Sequence, residues 1–173
     1  MHHTLIGGLG NVLMGDDAIG PTVVAHLAAR FVFPEGVKLH DLGTPGMDLV
    51  LHLAGLRNVV LIDALANSTL PAGAIRVVRR EELLAGPASA GLDAHSPGLR
   101  EALLLTEHCG GVPEQVCVVG VVAEDCSLGA GLSDSVRKSV AGLVEAVVDE
   151  LRLLCVSVQA RVPPGEPETW WER

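Results

Sequence analysis

Aromatic side chains are nearly missing from this sequence: two Phe, two Trp and no Tyr make up 2% of 173 residues. Any core must therefore be aliphatic, and the 49% hydrophobic content is enough to build one. Positive charge is also scarce. Twelve Lys and Arg face 21 Asp and Glu, for a formal net charge of −9. That balance argues against nucleic acid as the main partner, because phosphate contacts need clustered basic residues. It permits a cationic partner or a metal ion. No lysine precedes Lys38, so a phosphate-binding Gly-Lys-Ser or Gly-Lys-Thr cannot occur in the N-terminal glycine loop. The four cysteines, Cys109, Cys117, Cys126 and Cys155, form no C-x-x-C pair. Scattered buried thiols in a reducing compartment fit them better than a structural zinc site. No uninterrupted apolar run has bilayer length, and the N-terminus has neither a basic start nor a signal-type cleavage site. These absences lead to the expectation of a cytoplasmic protein with one domain over residues 1–158 and a loosely ordered Pro- and Glu-rich tail, 159–173.

What is present is an alternation of strand-like and helix-like segments. Thr4 to Gly8 reads as a buried strand, and Val37 to Leu42 as a second. Asn58 to Asp63 and Gln115 to Val122 are continuously apolar, as strands covered on both faces are. AIRVVRR reads as a further strand at a sheet edge. Pro21 is expected to open a helix, since proline is tolerated at the first helical position. DLVLHLAG reads as a short helix. Ser96 and Pro97 resemble the start of a helix running to about His108. Ser133 or Asp134 is expected to cap a long helix reaching Leu154. The pattern predicts a three-layer α/β/α sandwich around a mostly parallel, twisted sheet of about five strands. Ligands of such sheets bind beyond the carboxyl ends of the strands.

Three segments bring polar groups to that edge. The first is GGLGNVLMGDDAIG, Gly7 to Gly20, with adjacent carboxylates Asp16 and Asp17. Its glycines miss the G-x-G-x-x-G spacing, and two aspartates near a helix start would repel phosphate. Helix capping or plain surface charge explains one aspartate. A pair is better explained if one caps and the other faces a ligand. The second is Asp63, which ends an apolar strand and by itself reads as a turn residue. The third is His95, in a loop of small residues, where a solvated imidazole is the plainer reading. Other histidines are weaker candidates: His26 and His52 fall within helices, His40 in a strand, and His108 at a helix end. Taken together, Asp17, Asp63 and His95 form a set of two carboxylates and one imidazole. Those donors suit nickel, zinc or manganese and leave open coordination positions. No HExxH helix and no Ser-His-Asp or Cys-His order accompanies them.

The stretch Gly8-Leu9-Gly10-Asn11-Val12-Leu13-Met14-Gly15-Asp16-Asp17-Ala18-Ile19-Gly20 resembles the signature of the hydrogenase maturation endopeptidases. The resemblance continues through Asp41-Leu42-Gly43-Thr44-Pro45-Gly46-Met47, Leu61-Ile62-Asp63-Ala64, the His95 loop and Val119-Gly120-Val121. It implies an α/β/α fold and removal of a C-terminal extension from a nickel-iron hydrogenase large-subunit precursor once nickel is installed. It also implies that Asp17, Asp63 and His95 contact the nickel carried by that precursor, with no organic cofactor. Asp41, Gly43 and Thr44 fall on the segment linked to precursor recognition. Two positions depart from the family pattern: many members have Glu where Asp17 stands, and Leu42 replaces a glycine. The Trp170-Trp171 pair matches no part of it.

Three other functions compete with this one. Peptidyl-tRNA hydrolase also opens on Gly-Leu-Gly-Asn, but it would need a basic surface and an early tyrosine. A nucleotide-binding regulator is opposed by the failed glycine spacing. A non-catalytic metal-dependent binding module or chaperone for the precursor would use the same three residues as the protease.

Overall fold

A computed structural model describes residues 3–66, 69–85, 99–109, 111–129 and 131–172. Five strands form one sheet in the order β3-β1-β4-β6-β5, made of β1 (Thr4–Leu9), β3 (Val37–Gly43), β4 (Asn58–Leu65), β5 (Ile75–Arg79) and β6 (Gln115–Val122). β1, β3, β4 and β6 run parallel, and only the edge strand β5 is antiparallel. A second, two-stranded ribbon joins β2 (Phe31–Val32) to β7 (Gln159–Ala160). Helices α1 (Ile19–Arg30) and α5 (Asp134–Leu153) cover one face of the main sheet. The other face carries α2 (Leu49–Leu53), α3 (Arg80–Ala85) and α4 (Leu99–Cys109). The predicted α/β/α sandwich is the observed fold.

Alternation along β4 shows why the sheet needs two covers. Val60, Ile62 and Ala64 join the α1–α5 cluster, whereas Val59, Leu61 and Leu65 join the cluster under α2 and α4. Both sets are buried, as a central parallel strand requires. Fully burying a Leu or Ile contributes about 1.5–3 kcal/mol, so many aliphatic residues replace the missing aromatic ones. On α5, Val136, Val140, Leu143, Val147 and Leu151 recur at helical spacing and all face the sheet.

Two sequence expectations change. Helix α1 begins at Ile19, after a 3-10 turn at Gly15–Ala18, so Pro21 is its third residue. Proline still fits there, because the N–H groups of a first turn have no intrahelical partner. Neither Asp16 nor Asp17 caps that turn or that helix through its side chain. The segment from Gln159 runs along α1. The Arg161 N–H donates to the Arg30 carbonyl at 2.8 Å, and the Gly165 N–H to that of Ala29 at 2.8 Å. Trp171 is 9% exposed and packs into the α1–α5 cluster. The buried indole and these backbone bonds offset part of the entropy cost of ordering the segment. Among the described residues, no helix is long and apolar enough to cross a membrane.

Candidate active site

The loop after β1 is held down by close backbone contacts. At Gly10, φ is +122°, and a β-carbon built there would lie 1.8 Å from the Asp17 carbonyl oxygen. At Gly20, a β-carbon would lie 2.0 Å from the Leu9 carbonyl oxygen and 2.8 Å from that of Ile62. Side chains at either position would lift the loop and the first turn of α1 off the ends of β1 and β4. The glycines of the opening motif therefore seat two carboxylates against the sheet; they do not cradle a phosphate.

The two carboxylates then part. Asp16 is 0% exposed. It accepts bonds from the backbone N–H groups of Glu124 (2.8 Å), Asp125 (3.0 Å) and Ser133 (2.7 Å), and from the Ser133 hydroxyl (2.9 Å). Ser133 is the N-cap of α5. Asp16 thus clasps the β6–α5 connection to the opening loop, and its role is structural. Asp17 is 6% exposed and lines a cleft. Its Oδ2 accepts the Asn11 N–H at 2.7 Å.

Asp63 comes to the same cleft from the end of β4. It is 2% exposed, and its Oδ1 accepts the Ala64 N–H at 2.9 Å. The cleft holds about 410 Å³ of empty space, open solvent included. Gly43 and Thr44 form part of one wall, while Leu9, Leu49 and Leu99 supply apolar surface. It lies beyond the carboxyl ends of parallel strands, where α/β sheets bind ligands. Two carboxylates in mostly apolar walls are costly to desolvate unless a cation or proton joins them. The arrangement suits a divalent cation.

Of the sequence-derived residues, the fold brings Asp17, Asp63, Gly43 and Thr44 together. Asp41 is separated from them. Strand alternation puts it on the α1 side of β3, where it is exposed and its Oδ1 accepts the Gly43 N–H at 3.0 Å. His95 and the expected helix start at Ser96-Pro97 lie outside the described residues, and among those residues no trio of His, Cys, Asp or Glu is placed to hold a metal. Cys117 is no nucleophile at neutral pH: burial first, and then the nearby Glu150 carboxylate, push its thiol up to about 12.

A family model described as hydrogenase maturation protease matches residues 21–150. The chain belongs to this family. It is 30% identical over 148 residues to the hydrogenase 2 maturation protease of Escherichia coli, covering 86% of this chain and 90% of that one. It is 31% identical over 166 residues to the hydrogenase expression/formation protein HoxM of Cupriavidus necator, covering 94% and 82%. Among solved structures, the hydrogenase maturating endopeptidase HybD from E. coli superposes with a TM-score of 0.84 at 28% identity, covering 94% of this chain and 99% of that one. In this maturation protease the motif loop, the β3–α2 turn and the end of β4 converge on one cleft.

Sequence reasoning missed two parts of the surroundings. Asp16 carries no mark that separates it from Asp17, because its donors lie more than a hundred residues away. The docked tail did leave a signal: two adjacent indoles in an otherwise polar segment are costly to leave in water.

Proposed function

We propose that this protease removes the C-terminal extension of a nickel-iron hydrogenase large-subunit precursor after nickel insertion, and that it reads the precursor-bound nickel with Asp17, Asp63 and His95. The observation that carries the reading is the burial of Asp17 and Asp63 in one cleft beside Gly43 and Thr44, at the carboxyl edge of the sheet. The nickel belongs to the substrate. Docking nickel-free precursor brings no cation to the two buried carboxylates. Docking the nickel-loaded form gives them a cation. That difference gates cleavage. The metal supplies Lewis acidity toward the scissile carbonyl or a water molecule. The protein's residues hold the precursor, exclude bulk water and place the carboxylates.

The test is the intact mass of nickel-loaded and nickel-free precursor after incubation with the protein. Loss of a C-terminal peptide from the loaded form alone is the expected result. Cleavage of both forms would remove the gating. Binding without any mass change would replace the protease with a chaperone that grips the precursor through the same residues.

A further inference from the structure

A second concavity lies outside the cleft. It runs between α1 and the C-terminal segment and holds about 880 Å³ of empty space, open solvent included. Its floor is built of small side chains of α1, among them Ala25, Ala28 and Ala29, and its wall of Trp170 and Trp171. Trp171 is anchored: it is 9% exposed, and its indole N–H points at the Thr22 hydroxyl at 3.4 Å. Trp170 stands edge-to-face against it, with ring centroids 5.6 Å apart, and is 64% exposed. An indole left this open beside small apolar residues is a costly surface without a partner.

Charge fixes the kind of partner. Asp41, Glu166 and Glu168 are all exposed and share the lining, and none of the described lining residues is Lys or Arg. Arg161, which precedes this acidic segment, donates through Nε to the carbonyls of Ala28 and Phe31, each at 3.1 Å. Position links the groove to the cleft. Asp41 lies on it, and two residues later Gly43 lines the cleft. A chain laid along the groove past Asp41 is led around the end of β3 toward Asp17 and Asp63.

We propose that this groove is a docking site for an Arg- or Lys-bearing segment of the client protein. The cation packs on the open face of Trp170, between Glu166, Glu168 and Asp41, and the aliphatic stem lies on the alanines of α1. An exposed indole and carboxylates act together on one cation: the ring supplies the face and the carboxylates supply the long-range attraction. That the client is the hydrogenase precursor rests on the function proposed above; that the groove takes a cationic segment does not.

The two tryptophans make the test direct, because the chain has no tyrosine and all indole emission comes from the groove. The full-length protein is titrated with an acetylated tetra-arginine amide, which has no aromatic ring, and with its tetra-glutamate counterpart. Saturable quenching by tetra-arginine alone, weakened by salt, is expected. Glu166→Gln/Glu168→Gln should weaken it at least fivefold, and Trp170→Leu should weaken it while Trp171 still reports. These positions are exposed, and an unchanged urea midpoint checks that the fold is intact. Equal quenching of the double variant and the wild type, or an equal response to tetra-glutamate, overturns the proposal. So does an emission change driven by protein concentration alone, which assigns the groove to self-association. With nickel-loaded precursor, the double variant should raise KM at least threefold with kcat within twofold. An unchanged KM overturns the role toward that client. If the wild type binds tetra-arginine but leaves the precursor intact, the proposed function fails and the groove stands.

Discussion

Asp16 and Asp17 are neighbours in the chain, nearly equally buried, and they do different work. Asp16 faces inward and collects four hydrogen bonds from Glu124, Asp125 and Ser133. Asp17 faces the cleft that Asp63 also lines. Depth of burial does not distinguish a carboxylate that braces a loop from one that lines a cleft. What distinguishes them is where the donors come from and what space the group adjoins. A carboxylate surrounded by donors from a distant loop holds that loop; a carboxylate on a cleft wall meets whatever enters.

Replacing Asp16 should have the largest effect. Asp16→Ala takes the carboxylate acceptor from three part-buried backbone N–H bonds and from the Ser133 hydroxyl. Hydrogen bonds to a charged group are worth about 1.5–3 kcal/mol each and add incompletely. The variant should lose at least about 3 kcal/mol, read as a lower urea midpoint at constant slope. A loss under about 1 kcal/mol would show that the clasp is dispensable and would erase the contrast with Asp17.

Asp17→Asn and Asp63→Asn test the other half. Asn keeps an oxygen for the Asn11 or Ala64 N–H, so stability should stay within about 1 kcal/mol of wild type. Processing of nickel-loaded precursor should fall about a hundredfold or more, equivalent to roughly 2.7 kcal/mol of transition-state stabilisation. The decisive readout is the pairing of an intact fold with lost turnover. Normal turnover in either variant would remove that residue from the mechanism.

The contrast also shows how far the sequence could be read. Strand and helix positions were legible because both-face burial of β4 and β6 leaves continuous apolar runs, and the single-face burial of α5 leaves a helical repeat. Asp17 and Asp63 were legible because strand ends in parallel sheets point to one edge. The separation of Asp41 from Gly43 and Thr44 was not read, although strand alternation allows it. The Asp16 clasp was not legible at all: it depends on a loop whose path is set only once β6 and α5 have packed. The course of the tail along α1 was less legible, because its composition is polar apart from the indoles, of which Trp171 is buried.

Another buried carboxylate sharpens the comparison. Glu150 on α5 is held by Arg79 of β5 in a two-pronged pair, with N–O distances of 2.6 and 2.9 Å. Its side chain is 8% exposed, but that of Arg79 is 52% exposed. Water therefore screens the pair and compensates part of its loss. Arg79→Ala should cost about 2 kcal/mol by leaving Glu150 buried without its counterion, measured by urea unfolding, and should leave precursor processing unchanged. A parallel loss of processing would mean that this end of the sheet communicates with the cleft.

Ser133 gives the smallest and most discriminating test, because its hydroxyl serves both elements that Asp16 joins. It donates to Asp16 at 2.9 Å, and its oxygen faces the Val136 N–H at 3.4 Å as the N-cap of α5. Ser133→Ala removes both interactions and the 3.1 Å contact with the Ser135 hydroxyl, but keeps the Ser133 backbone donor and the other two backbone bonds to Asp16. The cap bond is long, so its share is a fraction of the usual value of about 1 kcal/mol. A total loss of about 1 kcal/mol, with turnover retained, is expected. If Ser133→Ala and Asp16→Ala are then combined, the double variant should be little worse than Asp16→Ala alone, since the hydroxyl has lost its principal acceptor. Full additivity would mean that the hydroxyl stabilises α5 independently, and that Asp16 clasps the loop through backbone donors only.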